Sequence, residues 1–156
     1  DPLVLNIARK SQLFEQNKQV FDLDGDGQKE GIPKLQSGVW YLAHDRNQNG
    51  RVDSGLELFG ALTGQGFAEL AKFDSNHNGL VESDDELFIQ LSLWDGQQRL
   101  NSLADGGVSA ISLNAAHTPF TFTDNLGNPT AQIRQTSVFL TDKNTLGAIH
   151  QVDIAV

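Results

Sequence analysis

Apolar and polar residues alternate at both ends of the chain and lose that period in its middle. Leu3, Leu5 and Ile7 share one face of an extended segment, as in a half-buried strand. Pro2 cannot donate to a ladder and suits the start of that strand. Residues 9–18 are mostly polar and predict a loop or short helix, whereas Gly38-Val-Trp-Tyr-Leu-Ala43 is rich in β-formers and predicts a short strand. Helical spacing is confined to two stretches: Phe67, Leu70 and Ala71 at i, i+3 and i+4, and Leu87, Phe88, Leu91 and Trp94 at i, i+1, i+4 and i+7. Arg99–Ala104 predicts one or two helical turns, ended by Asp105-Gly-Gly. From Val108 onward the pairs Ile111/Leu113 and Phe120/Phe122, the alternation Val152/Ile154/Val156 and the run Gln132–Leu140 predict strands. Asp124–Asn128 and Asp142–Gly147 carry the residues of hairpin turns between them.

The middle of the chain follows a different rule. Asp22-Leu-Asp24-Gly-Asp26-Gly27, Asp45-Arg-Asn47-Gln-Asn49-Gly50 and Asp74-Ser-Asn76-His-Asn78-Gly79 each place oxygen-bearing side chains on alternate residues and then a glycine. Calcium takes about 6–8 oxygen ligands, and side chains at positions 1, 3 and 5, a glycine turn at 6 and a main-chain carbonyl at 7 can wrap around it. The carbonyls at position 7 belong to Gln28, Arg51 and Leu80, and acids at position 9 are Glu30, Asp53 and Glu82. The third loop has Asp85 at position 12; the second has Leu56 there and Glu57 one residue later; the first has Pro33. Glu57 therefore closes the second loop only through a one-residue expansion, and the first loop needs its closure from elsewhere. Val52 and Val81, at position 8, are where paired loops of this kind join through a short β contact, so loops two and three form the expected pair. Glycines 55, 60, 64 and 66 interrupt any long helix leaving loop two.

These patterns together predict an α+β fold. Residues 1–95 would form an EF-hand-like calcium-loop lobe with short helices, and residues 96–156 an antiparallel β-rich lobe packed against it. At 156 residues the two lobes fit one module.

Composition narrows the function classes. The net charge of −9 comes from 20 acids against 11 bases, and ten of the acids are candidate ligands in the three loops. That concentration speaks against nucleic acid or an anionic membrane as partner. Without cysteine, neither disulfides nor thiolate metal sites can form. The four histidines show no metal spacing, and no nucleophilic-serine or phosphate-loop motif occurs. No apolar run reaches the ~18–20 residues of a membrane span, and no charged-then-apolar leader opens the chain. The chain begins without methionine, as a piece excised from a longer polypeptide would. Calcium sites of the kind found in extracellular modules fill only where calcium is plentiful, which places the module outside the cell or on its surface.

Asp1-Pro2 is the one dipeptide with a chemistry of its own. An aspartate carboxylate can attack its own main-chain carbonyl and close a five-membered anhydride, and the tertiary amide expels the proline nitrogen more readily than an ordinary amide. The alternative is an ordinary strand start. The order of motifs, Asp1-Pro-Leu-Val-Leu, then Val20–Gly27, Asp45–Gly50 with Glu57-Leu-Phe-Gly60, Phe67-Ala-Glu-Leu70, Asp74–Gly79 and a β-rich tail, resembles the calcium-binding, self-processing module of large secreted repeats-in-toxin (RTX) proteins of the FrpC-like kind. The resemblance implies about three calcium sites, calcium-driven folding and autocatalytic cleavage between Asp1 and Pro2. It also implies capture of the activated aspartate by a lysine amine as an isopeptide. The implied partners are the rest of the parent polypeptide and a lysine on the same or another protein, with the module itself a monomer. A reading from another class is a non-enzymatic, calcium-stabilised structural or adhesion module.

Overall fold

The computed structural model describes all 156 residues. Its centre is β1 (Leu3–Asn6), where Leu3, Val4 and Leu5 are all buried because both faces of the strand are covered. On either side of it lie β4 (Val39–His44) and β11 (Leu146–Ile154), both antiparallel to it. Outward from β4 come β6 (Leu91–Trp94) and β7 (Leu100–Ser102). Outward from β11 come β10 (Pro129–Thr141), β8 (Val108–Ser112) and β5 (Leu80–Glu82), with β9 (Ala116–Thr123) also pairing with β10. A separate hairpin of β2 (Phe14–Phe21) and β3 (Glu30–Leu35) completes the strands. Helix is limited to α1 (Gly66–Leu70) and to three single 3-10 turns at Gly55–Glu57, Ala71–Phe73 and Phe88–Gln90.

The sheet separates two cores. On one face Leu3, Leu5, Leu42, Leu93 and Ile149 pack against Phe59, Phe67, Leu70 and Phe88 from the connection that carries α1. On the other, Val4, Tyr41, Trp94 and Val152 pack against Phe14, Phe21, Ile32 and Leu35 of the β2–β3 hairpin. Strand β10 serves both: its register against β11 shifts between Ile133 and Gln135, so Ala131 and Ile133 enter the second core and Phe139 the first. One extra residue in a strand inverts which face every later side chain takes.

The architecture is therefore predominantly antiparallel β, and the expectation of an α+β fold with an EF-hand-like helical lobe is overturned. The reasons are local to each segment. Leu91, Leu93 and Trp94 point into two different cores, so a helical-looking spacing belongs to a doubly covered strand after a single 3-10 turn. Residues 14–18 look featureless because β2 buries only its ends, Phe14 and Phe21, under the sheet. Leu100–Ser102 is a strand because it pairs with β6. Val81 pairs with Ile111 of β8 rather than with loop two, and Val52 packs at the margin of the second core. Strands β1, β4 and β8–β11 and both late hairpin turns lie where the apolar alternation and turn residues placed them.

Candidate functional site

Each acidic loop is built by the same short-range hydrogen bonds. The carboxylate at position 1 accepts from the amides of positions 5 and 6: Asp22 from Asp26 and Gly27, Asp45 from Asn49 and Gly50, Asp74 from Asn78 and Gly79, at 2.7–3.2 Å. The side-chain oxygen at position 3 (Asp24, Asn47, Asn76) accepts from the position 5 amide, and that at position 5 (Asp26, Asn49, Asn78) from the position 7 amide. Every loop is left-handed at position 4, with Gly25, Gln48 and His77 at φ of 75°, 57° and 58°, and at the glycine of position 6. Asn47, Asn49, Asn76 and Asn78 thus turn their oxygens inward as the aspartates of loop one do. His77 is exposed at the turn.

The closing carboxylate also recurs. Glu57 accepts from the amides of Arg46 and Asp53, positions 2 and 9, at 3.1 and 2.9 Å. Asp85 accepts from Ser75 and Glu82, again positions 2 and 9, at 2.8 and 2.9 Å. Both acids are buried, at 5 % and 2 % exposure, so the one-residue expansion of loop two places Glu57 where Asp85 stands in loop three. In loop one Glu30 takes part of this role from position 9, accepting from Leu23 at position 2. The carboxylate oxygens of Asp22, Asp24, Asp26 and Glu30 lie within 4.8 Å of one another, an arrangement that could hold a metal ion. Asp53 is held below the usual carboxylate range by hydrogen bonds from the Asn47 and Asn49 amides. Burial alone pushes the Asp85 carboxyl up, but the donors of Glu82 and Ser75 outweigh it and hold it low. Loop flanks are strands β2 and β3 for the first, β4 and the Gly55–Glu57 turn for the second, and the Ala71–Phe73 turn and β5 for the third.

Loops one and two touch. The Gly55 amide donates to the Asp22 carbonyl at 2.8 Å, so close that a Cβ on Gly55 would lie 1.8 Å from the Leu23 oxygen. The Gly55–Glu57 turn then leads in three residues to Gly60, whose carbonyl accepts from the Asp1 nitrogen at 2.9 Å. On the other side of the junction the Pro2 carbonyl accepts from Val152 of β11 at 2.9 Å. Asp1-Pro2 is therefore anchored on both sides of its peptide bond. Gly60 has φ 82°, and a Cβ there would lie 2.6 Å from the Asp1 carbonyl oxygen; at Gly64 it would lie 3.7 Å from Asp1 Oδ2. The segment Gly60–Gly66 curls around Asp1.

The glycines were visible in the sequence as helix interrupters, but their role against Asp1 was not. Gln151 and Glu69, which hold this turn, carried no sequence signal. Gln151 lies 85 residues beyond the Gly66 amide that it accepts from.

An antiparallel β module with three acidic loops and a glycine cradle around one Asp-Pro bond is the class of protein that these features define. The chain belongs to the SPM domain family, whose model matches residues 5–155 and so takes in all three loops, the cradle and Gln151. It is similar to the iron-regulated protein FrpA of Neisseria meningitidis serogroup C, at 27 % identity over 179 residues. That match covers 92 % of this chain and 16 % of the relative, so the chain spans less than a fifth of the length of that curated relative. No helix is long and apolar enough to cross a membrane.

Proposed function

We propose that the chain is a calcium-dependent module of a large secreted RTX-type protein that folds on calcium and then cleaves its own Asp1-Pro2 bond. The observation that carries this reading is the continuity between the second loop and the junction: Glu57 closes the loop, and three residues later Gly60 holds Asp1. Asp22, Asp24, Asp26 and Glu30, with the Gln28 carbonyl, would ligate one ion. Asp45, Asn47, Asn49, Asp53 and Glu57, with the Arg51 carbonyl, would take a second, and Asp74, Asn76, Asn78, Glu82 and Asp85, with the Leu80 carbonyl, a third. Without metal, ten clustered carboxylates repel and the loops stay open; calcium neutralises them and drives folding.

In the folded module an Asp1 carboxylate oxygen attacks the Asp1 carbonyl carbon. The new C–O bond closes a five-membered anhydride as the C–N bond to Pro2 breaks, and the Pro2 nitrogen leaves with a proton taken from water. Water then opens the anhydride to two carboxylates, or a lysine amine opens it to an isopeptide on the same or another protein. The part of the parent polypeptide that ends at Asp1 is the upstream product, and the module acts as a monomer outside the cell.

The test is the intact mass of a chain extended by a tag and native residues before Asp1, in millimolar calcium and in chelator. Calcium should split it between Asp1 and Pro2, with any larger product at the mass of a tag–lysine conjugate less one water, and Asp1→Ala should fold but stay whole. An unchanged wild-type mass beside a calcium-induced folding transition would leave a structural calcium module instead.

A further inference from the structure

We propose that Gln151 is a positioning residue for the Asp1-Pro2 reaction, acting by clamping the Gly60–Gly66 turn onto strand β11; this rests on the self-processing reading above. Gln151 is buried at 6 % exposure, and both ends of its side-chain amide go to that turn. Its Nε2 donates to the Gly64 carbonyl at 2.9 Å and its Oε1 accepts from the Gly66 amide at 3.0 Å. Strand register places Gln151 opposite Leu3, and its neighbour Val152 holds the Pro2 carbonyl. Two consecutive residues of β11 thus fix the leaving side of the peptide bond directly and the acyl side through the turn.

The turn is tied at its other end by Glu69, which accepts from the Gly60 amide at 2.8 Å and from the Thr63 hydroxyl at 2.6 Å. Neither residue reaches the reacting atoms in these bonds. Their effect is on where Gly60 and Gly64 stand, and those two glycines face the Asp1 carbonyl oxygen and side chain. Anhydride closure depends on the carboxylate oxygen lying over its own carbonyl carbon, and a displacement of about 1 Å can cost roughly 10²-fold in rate. Only a side chain with both a donor and an acceptor at this reach serves Gly64 and Gly66 together. A carboxylate would face the Gly64 carbonyl without a proton, and methionine of like size would leave both main-chain groups unpaired.

The test compares wild type, Gln151→Met and Thr63→Val in the upstream-extended chain at saturating calcium. The single-turnover rate is read by intact mass, and folding by near-ultraviolet dichroism across a calcium titration. Thr63 is exposed, so its variant keeps the core intact while loosening Glu69. The expected result is a folded Gln151→Met that cleaves about 100-fold more slowly, with an unshifted calcium midpoint, and a smaller loss in Thr63→Val. A purely structural role predicts instead a calcium midpoint shifted upward and a wild-type rate restored at lower temperature. That restoration, or wild-type cleavage by folded Gln151→Met, would overturn the proposal. Should Gln151→Met not fold, Gln151→Glu, which keeps the length and the bond from Gly66 and loses the one to Gly64, decides: slowed cleavage supports the clamp and a wild-type rate sinks it. Absence of cleavage in the wild type would instead remove the self-processing reading itself.

Discussion

Glu57 and Asp85 do the same work from different loop positions, 13 and 12. Each side chain reaches the amides of positions 2 and 9, and the longer glutamate stands where loop two is one residue longer. Replacing Glu57 by Gln keeps the size and removes the charge, and it turns an amide donor toward one of two main-chain donors. A hydrogen bond to a charged group is worth about 1.5–3 kcal/mol, so calcium affinity at loop two should fall about tenfold or more in titration calorimetry. Loop three should be unaffected, since its closing acid is Asp85. Loops two and three each set three acids and two asparagines against the four acids of loop one, so the loss of one charge weighs more on them.

At the scale of elements, strand β10 governs the division between the cores. The bulge at Arg134 inverts the alternation, so that Ala131 and Ile133 before it face the second core and Phe139 after it faces the first. Deleting Arg134 should swap Phe139 and its neighbours out of the first core and so abolish the calcium-induced folding transition that the proposed function predicts, with circular dichroism as the readout. Arg134→Ala keeps the count and loses only the exposed ion pair with Asp153 at 2.7 Å, a cost of about 0–1 kcal/mol. The difference between the two variants separates register from charge. Strands with one buried face, such as those after Val108, were legible in the apolar alternation. Strand β6 and strand β2 were not: the first is covered on both faces and the second buries only its ends.

Across the whole molecule, pH acts through His150 as well as through the loops. Its ring is mostly buried between β1 and β10, with Nδ1 on the Thr136 hydroxyl at 2.8 Å, and burial holds its pKa below the ordinary 6.5. The unfolded chain binds a proton there from about pH 6.5 downward while the folded chain does not, so stability is full above that pH and declines as pH falls toward the lowered folded value. At saturating calcium the melting temperature should therefore fall between about pH 7.5 and about pH 5.5 more steeply in wild type than in His150→Gln. Parallel slopes would assign that pH dependence to other groups. On the proposed reading, in which calcium binds the folded loops and not the open ones, calcium should raise the melting point in proportion to the logarithm of its concentration.

The sequence by itself determined the three loops, because everything that shapes them lies within a dozen residues. Position 1 to positions 5 and 6, position 3 to 5, and position 5 to 7 are all short-range bonds, and their spacing could be read without knowing what surrounds them. It also marked Asp1-Pro2 as a bond of unusual chemistry. The tertiary structure alone decided what stands around that bond. Asp1 meets Gly60 across 59 residues, and Gln151 reaches Gly64 and Gly66 across 87 and 85. Such meetings depend on the register of β1 against β11 and on the two cores that enforce it, and a linear pattern carries no record of register.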